Sequence, residues 1–361
     1  MKSDVFHLNG LNGIRAIAAF TVIFSHCLQS GGLFGLPHGY QNYRAGYFGV
    51  TIFFSLSGFL ITYLLLIEKK KFQSINVKAF YVRRILRIWP LYYFYLAIAT
   101  ISLYIYFRND VSGTLFYYYF LLPNVPDILG ASLLLVSHYW SLGVEEQFYA
   151  FWPIVIKKIK NLPRFLCIFI IVFLLIKFGA RLLSAQADYD WPYRLMRANR
   201  FDCMAIGALG AWLAFAGNTA FRKISFHIVT QVLVLIFFVF ILTDKFHVLS
   251  VIDNDIIAVA TVVLIMNVSG NAKSLIKLNG PVLDFLGKIS YGLYVYQQLV
   301  IFYLGTLIGD TFNSLNQSLH WAIIIGLVTL LTILIAWLSY EYFEKRFLRL
   351  KEKFAAVPST A

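Results

Sequence analysis

The sequence has few charged residues. Only 13% of its 361 residues are Asp, Glu, Lys or Arg, which is about half of the roughly 25% found in ordinary soluble domains. Hydrophobic residues make up 60% of the chain, and the mean hydropathy is +0.72. A chain of this composition cannot cover a folded domain with a polar surface, so soluble domains are excluded.

Cysteine is also scarce. The three cysteines, Cys27, Cys167 and Cys203, lie in or beside apolar stretches and show neither CxxC nor His-paired spacing. We therefore expect neither a disulfide framework nor a bound metal. The first apolar stretch lacks a small-residue cleavage site at its end, so we expect a retained span and not a removed signal peptide.

The apolar residues recur in stretches of about 17 to 24, the length that a helix needs to cross a hydrocarbon core of roughly 30 Å. The sequence therefore predicts an all-α integral membrane protein, a polytopic bundle of about ten transmembrane helices with short loops. Residues 108–138 contain prolines and are expected outside, as a loop or a membrane-edge helix. The predicted spans are residues 11–30, 47–67, 88–107, 139–156, 164–183, 200–216, 227–243, 252–268, 285–308 and 319–342.

Basic residues outnumber acidic ones by 31 to 17, a net charge of +14. In a soluble chain this excess would suggest nucleic acid, but here the basic residues lie between the apolar stretches. With both termini in the cytoplasm, the inner segments hold about twenty Lys and Arg and the outer loops about five, as the positive-inside rule requires. We expect the lipid bilayer, and no nucleic acid, as a partner.

Two ionisable residues share one face of the first span. Arg15 and His26 are eleven residues apart, which places them within about 20° of each other around the helix and roughly 16 Å apart along it. Ionisable groups inside a bilayer are costly and are functional candidates. The alternative is that Arg15 is an anchor at the inner surface and His26 an interface residue.

The fourth span carries adjacent carboxylates, Glu145 and Glu146, which point about 100° apart on a helix. One of them can orient a histidine that acts as a general base, while the other supports it or pairs with an arginine. The sequence does not say which. His26 is the histidine expected at a similar depth.

Arg84 and Arg87 lie at i and i+3 on a helix that enters the membrane from the inside, with Arg83 beside them. Such a pair can bind a phosphate, or it can simply anchor the helix among lipid headgroups. Arg200 and Asp202 begin the sixth span, where they either line a site or neutralise each other.

These residues fall in six blocks whose order and spacing resemble the acyltransferase-3 family of membrane O-acyltransferases. The resemblance covers nearly the whole chain. The blocks are residues 11–16 with His26, 49–61, 83–90, 140–149 with Pro153, 200–202 with Gly207, and 286–294.

The resemblance implies a ten-helix domain over residues 1–346, followed by a basic cytoplasmic tail, 347–361, in a bacterial inner membrane. It implies transfer of an acyl group, usually acetyl, from acetyl-coenzyme A to a hydroxyl of a surface or lipid-linked carbohydrate. In the family the histidine matched by His26 is regarded as essential, together with the arginines matched by Arg15, Arg84 and Arg87.

We accordingly expect catalytic roles for His26, Glu145 and Glu146. The donor coenzyme is expected at Arg15, Arg83, Arg84, Arg87 and Ser57, and the acceptor at Arg200, Asp202, Trp140 and Tyr291.

The chain departs from the family at Gln297, where many relatives carry a histidine. We expect no extracytoplasmic esterase-like domain to be appended, and we expect the membrane unit to act alone or with a partner chain. Two other functions suit a bundle with intramembrane charges: a transporter or lipid flippase, and a non-catalytic membrane scaffold. A transporter predicts inverted repeats, and the sequence shows no internal duplication. Binding of coenzyme A distinguishes the enzyme from the transporter and from the scaffold.

Overall fold

The computed structural model describes residues 8–36, 43–107, 112–186, 190–309 and 311–354, and within these ranges its regular structure is entirely helical. The helices are α1 (Leu11–Gln29), α2 (Ala45–Phe72), α3 (Val77–Phe107), α4 (Ser112–Tyr119), α5 (Asn124–Leu129), α6 (Trp140–Lys158), α7 (Leu162–Gln186), α8 (Trp191–Ala198), α9 (Phe201–Phe215), α10 (Thr219–Phe226), α11 (Ile228–Leu242), α12 (Asp253–Gly270), α13 (Pro281–Lys288), α14 (Ser290–Ile308), α15 (Gln317–Ser339) and α16 (Lys345–Glu352).

The predicted all-α polytopic membrane fold is confirmed, and each of the ten predicted spans contains a helix. In the described ranges, seven helices are long and apolar enough to cross a membrane: α1, α2, α3, α7, α12, α14, and α15 continued through α16. An eighth is possible if α8–α9 and α10, which are bent by 111°, form one broken span.

Two predicted spans do not have the hydropathy or the length of a membrane-spanning helix. Helix α6 carries Glu145, Glu146, Lys157 and Lys158, so its hydropathy is low. Helix α11 has 15 residues and extends only about 22 Å, less than the thickness of the hydrocarbon core. The count of about ten spans is therefore seven to eight by length and composition, with α6 and α11 as additional helices.

The segment predicted to lie outside and the predicted tail contain more helix than the sequence suggested. The segment predicted as a loop or membrane-edge helix forms α4, α5 and a 3-10 turn, Leu134–Tyr139. Helix α16 crosses the predicted boundary between domain and tail, is joined to α15 by a π-turn, Tyr340–Glu344, and packs against α3. Residues 355–361 lie outside the described residues.

Helices α1, α2, α9 and α12 pack against one another, and α14 lies between α1 and α15. Helices α7 and α11 instead expose apolar side chains such as Ile171, Leu175 and Leu233, as lipid-facing helices do. The functional candidates lie on or beside helices α1, α2, α3, α6, α9 and α14, and not on α7 or α11.

The closest helix contact, between α2 and α9, depends on two glycines. A Cβ added at Gly58 would lie 2.0 Å from the Met204 carbonyl oxygen, and one added at Gly207 would lie 2.0 Å from the Ser55 carbonyl oxygen. Each helix therefore touches the backbone of the other, as small residues allow in membrane bundles.

We expect Gly207→Ala to destabilise the protein by about 1–3 kcal/mol, because the new methyl group must push α2 and α9 apart. Thermal unfolding of the detergent-solubilised protein measures this. The matched control is Gly326→Ala on α15, where an added Cβ meets nothing within 4 Å. Equal melting temperatures for the two variants would show that the α2–α9 contact is not tight.

Candidate active site

His26 lies near the end of α1 and is half-buried. Its imidazole is contacted from α14, where Gln298 Nε2 lies 3.4 Å from His26 Nδ1 and the Gln297 side chain interacts with the same ring. His138 also interacts electrostatically with His26. His26 is thus accessible but held among polar side chains.

His138 is itself buried, with 3% of its surface exposed. Its Nε2 lies 3.1 Å from the Val295 carbonyl oxygen on α14. Burial lowers the pKa of His138 to about 3, so its ring is neutral near pH 7. A neutral ring that donates to a carbonyl from Nε2 has its second nitrogen, Nδ1, left as an acceptor.

Arg15 and the arginines of α3 form a cationic group at the other end of α1. Arg15 interacts electrostatically with Arg84 and Arg87. Arg15 donates to Asn12 Oδ1 at 2.8 Å, and Asn12 in turn donates to Asp284 at 2.7 Å. Hydrogen bonds from Lys288 and Asn12 lower the pKa of Asp284, so this anchor is charged near pH 7.

Arg84 is stacked rather than ion-paired. Its guanidinium lies 5.7 Å from the centre of the Phe80 ring and 5.9 Å from that of Tyr149. Its Nε is buried without a hydrogen-bond partner among the described residues. Cations that keep unused donors are suited to a phosphate ligand.

The structure adds a fourth cation to this group. Lys351 of α16 interacts electrostatically with Arg87, Arg84 and Arg15, because α16 packs back onto α3. From the sequence, Lys351 was expected in the tail and outside the site. We call Arg15, Arg84, Arg87 and Lys351 the cationic cluster.

Arg83 is engaged elsewhere. It pairs with the buried Glu68 at 3.2 Å and donates to the Phe354 carbonyl oxygen at 2.7 Å. These contacts fasten α3 to α2 and to the end of α16. Arg83 was expected to bind the donor together with Arg84 and Arg87, but its guanidinium already has these two partners. Donor binding by Arg83 stays a prediction.

The two glutamates of α6 lie close to cations. Glu145 accepts from Ser57 on α2 at 2.9 Å and interacts electrostatically with Arg15 and Arg84. Ser57 thus positions a carboxylate. Its expected contact with the donor is a separate prediction.

Glu146 accepts from Trp89 Nε1 at 2.8 Å and interacts electrostatically with Arg84. Its other oxygen, Oε1, is buried without a partner among the described residues. One carboxylate was expected to orient His26; the side chains found at that imidazole include Gln298 and Gln297 of α14. Both glutamates interact with arginines of the cationic cluster, and a role of either one toward His26 stays a prediction.

Three of the four predicted acceptor residues lie in two different places. Arg200 donates to Thr51 at 2.7 Å and to the Tyr47 carbonyl oxygen at 2.8 Å, and its guanidinium lies 5.1 Å from the ring centre of Trp140. Arg200 and Trp140 therefore form one cluster beside α2. Tyr291 donates to the Ile88 carbonyl oxygen at 2.9 Å, on the α3 side.

Asp202 is fully buried and ion-paired with Lys177 of α7. Lys177 also binds Asp255 of α12 at 2.9 Å. Asp202 therefore belongs to a buried ion triad, Lys177–Asp202–Asp255. The sequence did contain a signal for it, since a single lysine in the apolar stretch of α7 is itself unusual.

Asp202, Cys203 and Asp255 offer ligand atoms within 4.8 Å of one another. The Lys177 ammonium group is bound to both carboxylates, so a cation is already present there. This donor set does not fit a metal ion, because two positive charges would compete for the same carboxylates. The expectation of no bound metal stays a prediction.

A family model described as an acyltransferase domain matches residues 8–341. A Staphylococcus aureus (strain COL) protein named "Putative O-acetyltransferase" is 29% identical over 94% of this chain and 57% of its own length. "Peptidoglycan O-acetyltransferase OatA" of Listeria monocytogenes is 28% identical over 94% of this chain and 55% of its own.

"O-acetyltransferase OatA" of Staphylococcus aureus (strain NCTC 8325 / PS 47) is 27% identical over 94% of this chain. The chain spans somewhat more than half of the length of these relatives, 55% to 57%. No solved structure gives a significant match.

Proposed function

This chain belongs to the acyltransferase-3 family, and on that premise we propose that it is an O-acetyltransferase that uses cytoplasmic acetyl-coenzyme A. The acceptor is the hydroxyl of a carbohydrate on the outer side of the membrane. The relatives named O-acetyltransferase support the reaction class, and the name of the Listeria relative favours peptidoglycan or a related glycan as the acceptor.

The observation that carries the proposal is the separation of charge along α1. The cationic cluster includes Arg15 at one end, and His26 lies about 16 Å further along the same helix. Coenzyme A has the same polarity, because its phosphates are at the nucleotide end and its thioester is at the far end of a thin, neutral arm.

In this mechanism the phosphates bind Arg15, Arg84, Arg87 and Lys351, and the arm extends toward His26. Glu145 and Glu146 hold the arginines in place. They also limit the net charge of the site, so phosphates bind without a large excess of buried cations. The Arg200–Trp140 cluster contributes to the acceptor side.

His26 then acts as a general base. It takes the proton of the acceptor hydroxyl as the oxygen attacks the thioester carbonyl carbon. When the tetrahedral intermediate collapses, the C–S bond breaks and the coenzyme thiolate takes the proton from the imidazolium. A covalent acetyl-His26 intermediate divides the same transfer into two steps, and label on the protein in the absence of acceptor distinguishes it.

The test is transfer of radiolabelled acetyl from acetyl-coenzyme A in sealed membrane vesicles of both orientations. We expect label in the glycan or lipid-linked fraction of inside-out vesicles only, because acetyl-coenzyme A does not cross the bilayer. Equal labelling of right-side-out vesicles would place donor binding on the wrong face. Labelled coenzyme A inside vesicles without labelled glycan would indicate a transporter.

Lys351 offers a test of the cationic cluster. We expect Lys351→Gln to raise the KM for acetyl-coenzyme A about tenfold, because a charge-assisted contact is worth roughly 1.5 kcal/mol, with little change in kcat. The control is Lys353→Gln, an exposed lysine two residues further along. Equal KM values for the two variants, or a loss confined to kcat, would remove Lys351 from the donor site.

A further inference from the structure

Gln297 has a fully buried side-chain amide. Its exposure is 0%, and neither Nε2 nor Oε1 has a hydrogen-bond partner among the described residues. The side chain nevertheless interacts with the His26 ring. Its amide therefore lies beside the histidine with its hydrogen-bonding capacity unused.

Buried polar groups without partners are uncommon, because each costs about 1–3 kcal/mol. A second one lies nearby, since Nδ1 of His138 is also unpartnered in the described chain and His138 interacts with His26. Unused polar atoms on two sides of an accessible imidazole indicate a place where a polar ligand group completes the hydrogen bonds.

The two unused groups have opposite chemistry. His138 donates from Nε2 to the Val295 carbonyl oxygen, so its Nδ1 can only accept. Gln297 has two N–H donors on Nε2. An oxygen that gains negative charge beside His26 can therefore be stabilised by Gln297 and not by His138.

The Gln298 amide contacts Nδ1 of His26; with its oxygen turned toward that nitrogen it accepts from Nδ1–H, so that Nε2 carries the lone pair of a general base. A thioester carbon attacked by a hydroxyl bound at His26 Nε2 places its carbonyl oxygen next to the same ring. That oxygen is within reach of a side chain that already contacts the imidazole.

We propose that the Gln297 side-chain amide donates a hydrogen bond to the thioester carbonyl oxygen and stabilises the oxyanion formed during acetyl transfer. The inference rests on the proposed function. No further reactant is involved: the C–O bond forms as the C=O π electrons move onto the oxygen held by Gln297, and they return as the C–S bond breaks.

The test is steady-state kinetics of Gln297→Leu and Gln297→His at matched membrane abundance. Loss of one oxyanion donor is expected to lower kcat about 10²–10³-fold. The leucine variant removes the donor without leaving an unsatisfied polar group, and its KM for acetyl-coenzyme A should stay close to that of the parent. Histidine retains an N–H and should recover part of kcat.

A purely structural role for Gln297 predicts a different pattern, in which kcat and thermal stability fall together. Protection of Gln297→Leu by acetyl-coenzyme A against thermal unfolding shows that the variant is folded and binds the donor. A kcat within about threefold of the parent, or equal inactivity of the leucine and histidine variants, would overturn the proposal.

Comparison with the unsubstituted protein and with His26→Ala distinguishes failure of the proposed function from failure of the role of Gln297. If the unsubstituted protein transfers no acetyl, or His26→Ala is equally active, the proposed function itself fails. If the unsubstituted protein is active, His26→Ala is inactive and Gln297→Leu is active, only the role of Gln297 fails.

Discussion

His26→Ala is expected to lower kcat for acetyl transfer by about 10²–10⁴-fold, the usual contribution of a general base. Binding of acetyl-coenzyme A should persist, because the cationic cluster lies about 16 Å away along α1. The two readouts, labelled glycan and thermal protection by acetyl-coenzyme A, therefore respond differently to one substitution.

The matched control is His227→Asn. His227 is exposed at the start of α11, where its side chain accepts from the Val229 amide, and asparagine can make the same capping contact. If His26→Ala and His227→Asn transfer acetyl equally well, His26 is not the general base of the reaction. Loss of donor protection in His26→Ala would instead place His26 at the coenzyme.

The helices were predictable because hydropathy is a local property. The predicted first span, 11–30, is helix α1, Leu11–Gln29, and the predicted eighth span, 252–268, is helix α12, Asp253–Gly270. Helix propensity and apolar length act within one segment, so the sequence contains this information directly. It is harder to predict which helices cross the membrane, because a helix such as α6 combines apolar residues with four charged ones.

Contacts between segments were not predictable in the same way. Lys351 joins Arg15 only because α16 folds back onto α3, and no local pattern encodes that return. The spacing of Glu145 and Glu146 indicated correctly that they point in different directions, toward Ser57 and Trp89. It could not identify the partner helices, which are α2 and α3.

The buried triad provides the second large expected effect. Lys177 has 4% of its side chain exposed and binds both Asp202 and Asp255. Lys177→Met removes the only ammonium group of the triad and leaves two carboxylates facing each other in an apolar interior. Breaking a buried ion pair in this way costs about 3–5 kcal/mol, so we expect a much lower melting temperature and poor accumulation in the membrane.

The control variant removes the charges of all three residues of the triad, so that no carboxylate is left without a counter-ion. Combining Lys177→Met with Asp202→Asn and Asp255→Asn leaves no unpaired ion, and replacing a buried ionic group by neutral residues is often close to neutral for stability. We expect the triple variant to melt near the parent. If Lys177→Met alone is as stable as the parent, the triad does not hold α7, α9 and α12 together.

From the sequence, Asp202 was expected either to line a site or to neutralise Arg200, and the structure pairs it with Lys177 instead. The same triple variant tests whether Asp202 also lines the acceptor site. If Asp202 only neutralises Lys177, the KM for the acceptor stays unchanged once stability is restored, because its carboxylate then makes no contact with the glycan. If Asp202 lines the acceptor site, the KM for the acceptor rises while the KM for acetyl-coenzyme A does not. Arg200, which is held by Tyr47 and Thr51 and stacked on Trp140, would then be the second residue of that site.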